Sequence, residues 1–302
     1  MVQCPPVNPF TLDGQWYKAA LHTHTTYSDG RLSPAELVAW YRERNYHVLA
    51  VTDHGRVASV NGLSASDFLV LPGAEWHGGS VEDGTHYHVL LVDIKASREM
   101  PRDVSMENAV QAAQATGALV FAAHPYWSGQ TSAQLAAANG IVGLEVYNDV
   151  TQVRYGLGIS AVHWDEVLAR GRLLYGLAVD DLHDPSIEGD GGWTWVKAPA
   201  LTQPAIRRAL EQGAFYASTG PVIYDIHVQD ETVRVRCSPV VSIGFMATAF
   251  YGTLVQAPPG ETIQEACYTL HGKERYLRIE CTDAAGGRAW SNPVVWDQKR
   301  QE

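Results

Sequence analysis

Seven short apolar runs, at residues 18–21, 47–52, 68–74, 88–94, 118–123, 142–146 and 173–179, alternate with amphipathic segments through the first two thirds of the chain. Most are rich in Val, Leu and Ala, which suits strands buried on both faces of a parallel sheet. Helical signals lie between them. Ser33-Pro34-Ala35-Glu36 is a capping box with proline in the first turn, followed by Leu37, Trp40 and Tyr41 at helical spacing. The pattern predicts further helices over 106–116, 132–139, 162–170 and 203–212, each followed by a glycine that suits a C-terminal cap. Strands and helices alternating in this way predict an α/β architecture, either a barrel or a strongly curved sheet.

Beyond about residue 220 the texture changes. Runs at 222–227, 232–237, 243–250, 276–280 and 288–294 read as strands separated by turn residues, and Asp283-Ala284-Ala285-Gly286-Gly287 reads as a hairpin connection. Residues 263–268 read equally as helix or strand. The expected division is an irregular lead-in at 1–17, where Pro5, Pro6 and Pro9 oppose regular structure, then an α/β unit at 18–220 and an all-β module at 221–302.

The 302 residues carry 33 Asp plus Glu against 22 Lys plus Arg, a formal charge of −11. That balance argues against a protein that coats polymeric nucleic acid, which needs a basic face to displace counterions. No 18-residue apolar stretch occurs, so no membrane span is expected. Residues 1–10 lack the basic and apolar regions of a secretory signal, and a cytoplasmic location is expected. Cys4, Cys237, Cys267 and Cys281 have neither metal-site spacing nor the density of a disulfide scaffold; three buried thiols and one near a loose terminus are expected.

Histidine placement points to chemistry. Leu21-His22-Thr23-His24-Thr25 directly follows an apolar run, and on an extended segment residues i and i+2 share a side, so both imidazoles can reach one metal ion. Asp29 follows beside a glycine. Asp53-His54-Gly55 closes the second run, Glu75 ends the third, His88 begins the next, His124-Pro125 closes the one after, and Asp181-Leu182-His183 forms a second same-side pair. One strand-end histidine is an ordinary polar residue leaving a core. Six or more, brought to one rim by a parallel barrel, argue for metal binding.

With LHTHTTYSDG (21–30), VTDHG (51–55), GAEW (73–76), HVLLVD (88–93), AHP (123–125), EVYN (145–148) and VDDLH (179–183) in this order, the chain resembles the PHP (polymerase and histidinol phosphatase) superfamily of metal-dependent hydrolases over residues 18–220. The likeness is greatest to stand-alone phosphoesterases and relatives of carbamate-ester hydrolases. The resemblance implies a distorted (β/α)7 TIM-like barrel with two or three divalent metal ions at its carboxyl rim. It implies that His22, His24, Glu75 and Asp181 hold the first ion, that Glu75 bridges to a second held by His88 and His124, and that Asp29, His54 and His183 hold a third. His77 and His86 lie near His88, with the register favouring His88 over His86. Asp181 is favoured over Asp180 because Asp-x-His keeps both side chains on one side.

Imidazole and carboxylate donors without thiolate fit Zn, Mn or Fe. The implied reaction is hydrolysis of a small-molecule phosphate ester by a hydroxide that bridges metal ions held by Glu75, His22, His24 and Asp181. A carbamate, ester or amide hydrolase with the same metals is a second reading; a non-catalytic scaffold whose β module binds a glycan or a partner is a third. Around the ligands, Asp53 is expected to point away from His54 and make a structural hydrogen bond. Glu145 and Asn148 are candidates for orienting His124 or touching substrate. Arg56 and Arg154 are candidates for a phosphate oxygen, and His77 and His86 for lining the pocket. Trp76, Tyr126 and Trp127 read either as an aromatic wall for a base or aryl group or as rim packing.

Overall fold

In the computed structural model, which describes residues 7–96, 101 and 104–294, the expected capping box starts the first α-helix. The Ser33 hydroxyl accepts the Glu36 N–H (3.4 Å) and Glu36 accepts the Ser33 N–H (2.8 Å). In chain order the first part comprises β1 (Gln15–Ala20), α1 (Pro34–Arg42), β2 (Val48–Val51), β3 (Leu69–Gly78), β4 (Tyr87–Val92) and α2 (Met106–Gln114). It continues with β5 (Leu119–Ala122), α3 (Pro125–Ser128), α4 (Ser132–Ala137), β6 (Gly143–Asn148), α5 (Asp149–Tyr155), α6 (Ala161–Ala169), β7 (Tyr175–Val179), β8 (Trp193–Ala198), α7 (Gln203–Gln212) and β9 (Phe215–Ser218). β1 begins inside the segment read as an irregular lead-in. α3 and α5 are too short to show a helical period, and Thr194 and Lys197 interrupt the apolar pattern of β8, so none of the three stands out in the sequence.

The later strands are β10 (Ile223–Gln229), β11 (Thr232–Val240), β12 (Ser242–Ala247), β13 (Gly252–Gln256), β14 (Ile263–Thr269), β15 (Leu277–Thr282) and β16 (Arg288–Ser291). The ambiguous 263–268 segment is β14: Ala266 and Tyr268 are buried while Cys267 and Thr269 are exposed, the two-residue period of a strand. Cys237 and Cys281 are buried, but Cys267, expected to be buried, lies on the outward side of β14. Cys4 lies outside the described residues.

β1, β2 and β3 are parallel, as are β5, β6 and β7; β4 runs antiparallel to both β3 and β5. In the other direction the sheet continues from β1 through β8, β9, β16, β15 and β12 to β13, making 13 strands in one sheet. It therefore runs across position 220 without interruption. β10, β11 and β14 form a separate three-stranded sheet. That sheet shares a core with the large one, in which Val233, Val235 and Cys237 meet Ile243, Phe245, Ile279 and Cys281.

The strands are buried on both faces, as their composition implies. Val89 and Leu91 pack with Val110, Trp164 and Val167 of the helices, whereas Leu90 and Val92 pack with Ala19, Val48, Leu71, Phe121 and Leu177 of the other strands. Just beyond their ends, β1 and β7 are joined: the His24 N–H bonds to Leu182 O (3.0 Å) and the Asp181 N–H to His22 O (3.1 Å). The two same-side pairs read in the sequence are thus placed side by side. Among the described residues no helix is long and apolar enough to cross a membrane.

Arg278 of β15, fully buried, ties the C-terminal strands to α6 through two bonds to Asp165 (2.7 and 2.6 Å) and one to Glu280 (3.1 Å). Arg278→Ala leaves both carboxylates short of their partner and should cost about 3 kcal/mol in equilibrium urea unfolding.

Candidate metal centre

Thr23 sets the direction of the first ligand pair. Its N–H bonds to Thr52 Oγ1 (2.9 Å) and its hydroxyl to Ala50 O (2.7 Å), so it faces β2 while His22 and His24 project together to the other side, their Nε2 atoms 3.1 Å apart. Glu75 Oε2 lies 3.3 and 3.4 Å from those two nitrogens, and Asp181 Oδ1 lies 3.2 and 3.0 Å from them. Such separations match the edges of a tetrahedron whose corners stand about 2 Å from its centre, the usual reach of Zn–N and Zn–O bonds.

The chemistry of the donors points the same way. His22 Nδ1 is 2.6 Å from Glu145 Oε1 and donates to it, which leaves Nε2 with a lone pair aimed inward. All four residues are at most 4% exposed, and Asp181 Oδ1 has no hydrogen-bond partner. Lone pairs and carboxylate oxygens gathered without water are costly unless cations or protons lie between them. A divalent cation fits this set.

Two further groups adjoin the first. Glu75 turns its other oxygen, Oε1, to His88 Nδ1 (2.6 Å) and His124 Nε2 (3.1 Å). Asp29 stands 3.6 Å from His54 Nε2 and 3.5 Å from His183 Nε2, with His24 Nδ1 3.7 Å away. His183 donates Nδ1–H to Asp181 O (2.6 Å), so its Nε2 is available. A neutral imidazole has one lone pair, and that of His24 belongs with His22, which leaves Asp29, His54 and His183 as the third set. This set is the open side of the centre, with the Asp29 side chain 55% exposed.

The antiparallel direction of β4 explains His88. At the start of a parallel strand it would lie at the far end of the sheet; here it pairs with His77 of β3 and falls at the carboxyl ends of the neighbouring strands. His77 and His86 join none of the three donor groups found among the described residues, although their rings lie 5.3 and 4.9 Å from that of His88. Asp180 points away from the centre and accepts bonds from Tyr41 Oη (2.8 Å) and the Gly191 and Gly192 N–H groups (3.0 Å each).

Burial alone would depress His22, but the Asp181, Glu145 and Glu75 carboxylates outweigh it and hold its pKa well above the ordinary value. His24, opposed in the same way by burial, is pushed up to about 9 by its contacts with Asp181 and Glu75. Burial would raise Glu75, yet the charges of His88 and His22 hold it well below the usual carboxylate range. For His88 burial dominates and lowers the pKa to about 4 despite Glu75. Two of the donor residues also have left-handed backbones, His124 at φ 27° and Asp181 at φ 56°. A non-glycine residue there costs on the order of 1–3 kcal/mol. The His124 N–H is held by Glu145 Oε2 (2.8 Å).

The residues behind the ligands act as supports. Asp53 does point away from His54, accepting the Thr25 N–H (2.8 Å), Thr25 Oγ1 (2.8 Å) and Ser28 Oγ (2.7 Å), which pins the turn after His24. Asn148 donates to Glu145 (2.8 Å) and Asp181 (3.2 Å), so Glu145 and Asn148 are bonded to one another and to the donor residues. Arg154 is taken up by a bidentate pair with Glu188 (2.8 and 3.0 Å), and Glu188 also accepts the His183 and Asp184 N–H groups (2.9 Å each). Through this pair Arg154 anchors the loop that carries His183. Arg56 is exposed on the loop after His54.

Trp76 cannot form part of a pocket wall. It is 1% exposed, because Glu75 faces the centre and the next residue of a strand faces the opposite side. Trp127 does reach the mouth, its ring 5.0 Å from His124 and 5.7 Å from His88, while Tyr126 packs on His163 at 5.7 Å. Sequence reasoning missed Ser28 and Ser128, whose hydroxyls lie 3.4 Å from His24 Nδ1 and 3.1 Å from His124 Nδ1. A serine four residues after each histidine was the available signal. Glu188 left none, since it acts on backbone N–H groups.

The model of the PHP domain family matches residues 20–170, half of the chain. The chain belongs to the PHP domain family, a class of metal-dependent hydrolases. Among solved structures it is similar to a two-domain protein of Bacteroides vulgatus that contains a candidate PHP-like metal-dependent phosphoesterase, at 16% identity and a TM-score of 0.52, covering 97% of this chain and 98% of that one. The fold is thus shared over both parts of the chain. It also resembles a candidate metal-dependent phosphoesterase of Bifidobacterium adolescentis (19% identity, TM-score 0.42, 55% of this chain and 87% of that one). A third is an amidohydrolase of Chromobacterium violaceum with bound sulfate and no metal (18% identity, TM-score 0.44, 65% and 96%). No curated protein matches the chain.

Two outcomes follow from this geometry. Glu145→Leu removes the acceptor that fixes the His22 tautomer, and it should weaken metal binding about 10–100-fold in a competition titration. His24, pushed up to about 9, holds a proton at pH 7 that a cation must displace. Calorimetry in buffers of different ionisation enthalpy should therefore show proton release on metal binding, with affinity falling as the pH is lowered from about 9.

Proposed function

We propose that this protein is a metal-dependent phosphoesterase acting on a small-molecule phosphate monoester, with three divalent cations, Zn, Mn or Fe, in its centre. The observation that carries the reading is Glu75, whose two oxygens face two different donor groups 2.6–3.4 Å away, beside a third and more exposed group. Contiguous sites that share a carboxylate suit phosphoryl chemistry, in which charge on several oxygens must be offset at once. Cations bound there would acidify water toward a pKa of about 7 and neutralise charge on the phosphoryl oxygens.

The chain's own residues set direction and tautomer. Glu145 holds His22, Asp53 and Ser28 hold the turn that carries His24, Ser128 holds His124, and Glu188 holds the His183 loop. The substrate approaches from the Asp29, His54 and His183 side, where Asp29 is the most exposed of the donors. The seven-strand portion, β1 to β7, is read as a distorted (β/α)7 barrel, supported by the hydrogen bonds between the segments just beyond β1 and β7. A charge of −11 favours small substrates over nucleic acid polymers.

The test is elemental analysis of the purified protein, followed by turnover of p-nitrophenyl phosphate, bis-p-nitrophenyl phosphate and an aryl carbamate in parallel. Monoester hydrolysis that is lost on chelation and restored by metal is expected. His22→Ala should lower it at least about 100-fold, equivalent to a few kcal/mol of transition-state stabilisation, with the near-ultraviolet circular dichroism unchanged. Turnover of the carbamate alone would overturn the assignment.

A further inference from the structure

The chain passes directly from the small sheet to the large one between β11 and β12, with Val241 alone separating the two strands. The Val241 N–H bonds to Thr282 O (2.8 Å), and Ile243, two residues on, stands opposite Cys281 in the β12–β15 ladder. The two sheets therefore converge at this corner, beside Cys281. On the other side of the bend β11 carries Cys237, opposite Ile223 of β10. The β11–β14 register shifts between Arg236 and Val240, an irregularity of the kind that bends a strand.

Cys237 and Cys281 both point into the core that the corner encloses. Val233, Val235 and Cys237 form the inward row of β11, and Leu277, Ile279 and Cys281 that of β15. Cα atoms of these two strands come within 8 Å of one another, closer than the roughly 10 Å at which sheets usually stack. Both cysteines are fully enclosed, and the Cys281 thiol donates a hydrogen bond to Cys237 Sγ. Two cysteines on converging strands with their thiols in contact meet the demand that a disulfide makes on side-chain direction. The same hydrogen bond lowers the pKa of Cys237 and, with burial, raises that of Cys281, so Cys237 is the readier nucleophile.

We propose that Cys237 and Cys281 are a redox-active pair that closes to a disulfide and staples the small sheet to the large one. The oxidant is a low-molecular-weight disulfide such as oxidised glutathione. The Cys237 thiolate attacks one of its sulfurs, the reagent's S–S bond breaks, and one glutathione leaves in reduced form. Cys281 then loses its proton and attacks Cys237 Sγ of the mixed disulfide, releasing the second glutathione. The two cysteines give up two protons and two electrons, and the reagent takes up both. Because both thiols are enclosed, exchange passes through opening of the β sandwich and is slow in the cold. Once made, the bond turns residues 238–280, with β12, β13 and β14, into a closed loop, which restricts the unfolded chain and stabilises the folded one. This chemistry is independent of the reaction at the metal centre.

The test is incubation of the purified chain, held a few degrees below its melting temperature, with increasing ratios of oxidised to reduced glutathione. The protein is then quenched in acid, alkylated in denaturant and mapped by mass spectrometry. Cys237 and Cys281 should become linked to each other, while Cys267, exposed on β14, is recovered alkylated or as its glutathione adduct. The linked form should melt at least about 5 °C above the reduced one, a shift that dithiothreitol reverses. Cys281→Ala should abolish the shift, and Cys267→Ser should leave both link and shift intact. Both thiols still alkylated at the highest ratio, a link from either one to another cysteine, or a linked form that melts no higher than the reduced one would overturn the proposal.

Discussion

A buried carboxylate at position 75 is the constraint around which the centre is organised. Glu75 is 1% exposed and stays ionised because imidazoles surround it on both sides. An uncompensated charge at that depth would cost several kcal/mol, so the chain brings imidazoles to it from several directions. His22 and His24 come from the end of β1, His54 from the end of β2, His88 from the start of β4 and His124 from the end of β5. These arrivals define the mouth of the fold, and a cation is a natural counterpart to the concentration of donors.

Holding such a set costs stability elsewhere. The left-handed backbones of His124 and Asp181 persist because the surrounding bonds over-determine them. The bonds from Glu145, Asn148, Asp53 and Glu188 serve the same end, since each ligand nitrogen must present a lone pair in one direction and not another. The supporting groups are as buried as the ligands: Asp53, Glu145 and Asn148 are all fully enclosed. Beyond this shell the centre is most open at Asp29, whose side chain is exposed.

The legibility of the chain varied with the range of the forces involved. Strands with Val, Leu and Ala on both faces, the capping box at Ser33 and the glycine stops are local features, and they were readable. The His-x-His and Asp-x-His pairs were readable too, since a two-residue period puts both members of each pair on one side. α3, α5 and β8 were hidden because their lengths or interrupted patterns show no period. Cys267 was misjudged because thiols are usually buried, whereas β14 turns this one outward.

Position in the chain thus determined which residues carry donors, which side of a strand each faces, and that they resemble those of the PHP domain family. Only the tertiary structure decided that β4 reverses direction, and that reversal brings His88 instead of His86 against Glu75. It alone decided that Arg154 is consumed by Glu188, that Trp76 lies in the core, and that one sheet continues from β1 through β8 and β9 into the C-terminal strands. Each of these depends on a partner far away in sequence, and pairing between distant segments leaves no periodic trace in either one.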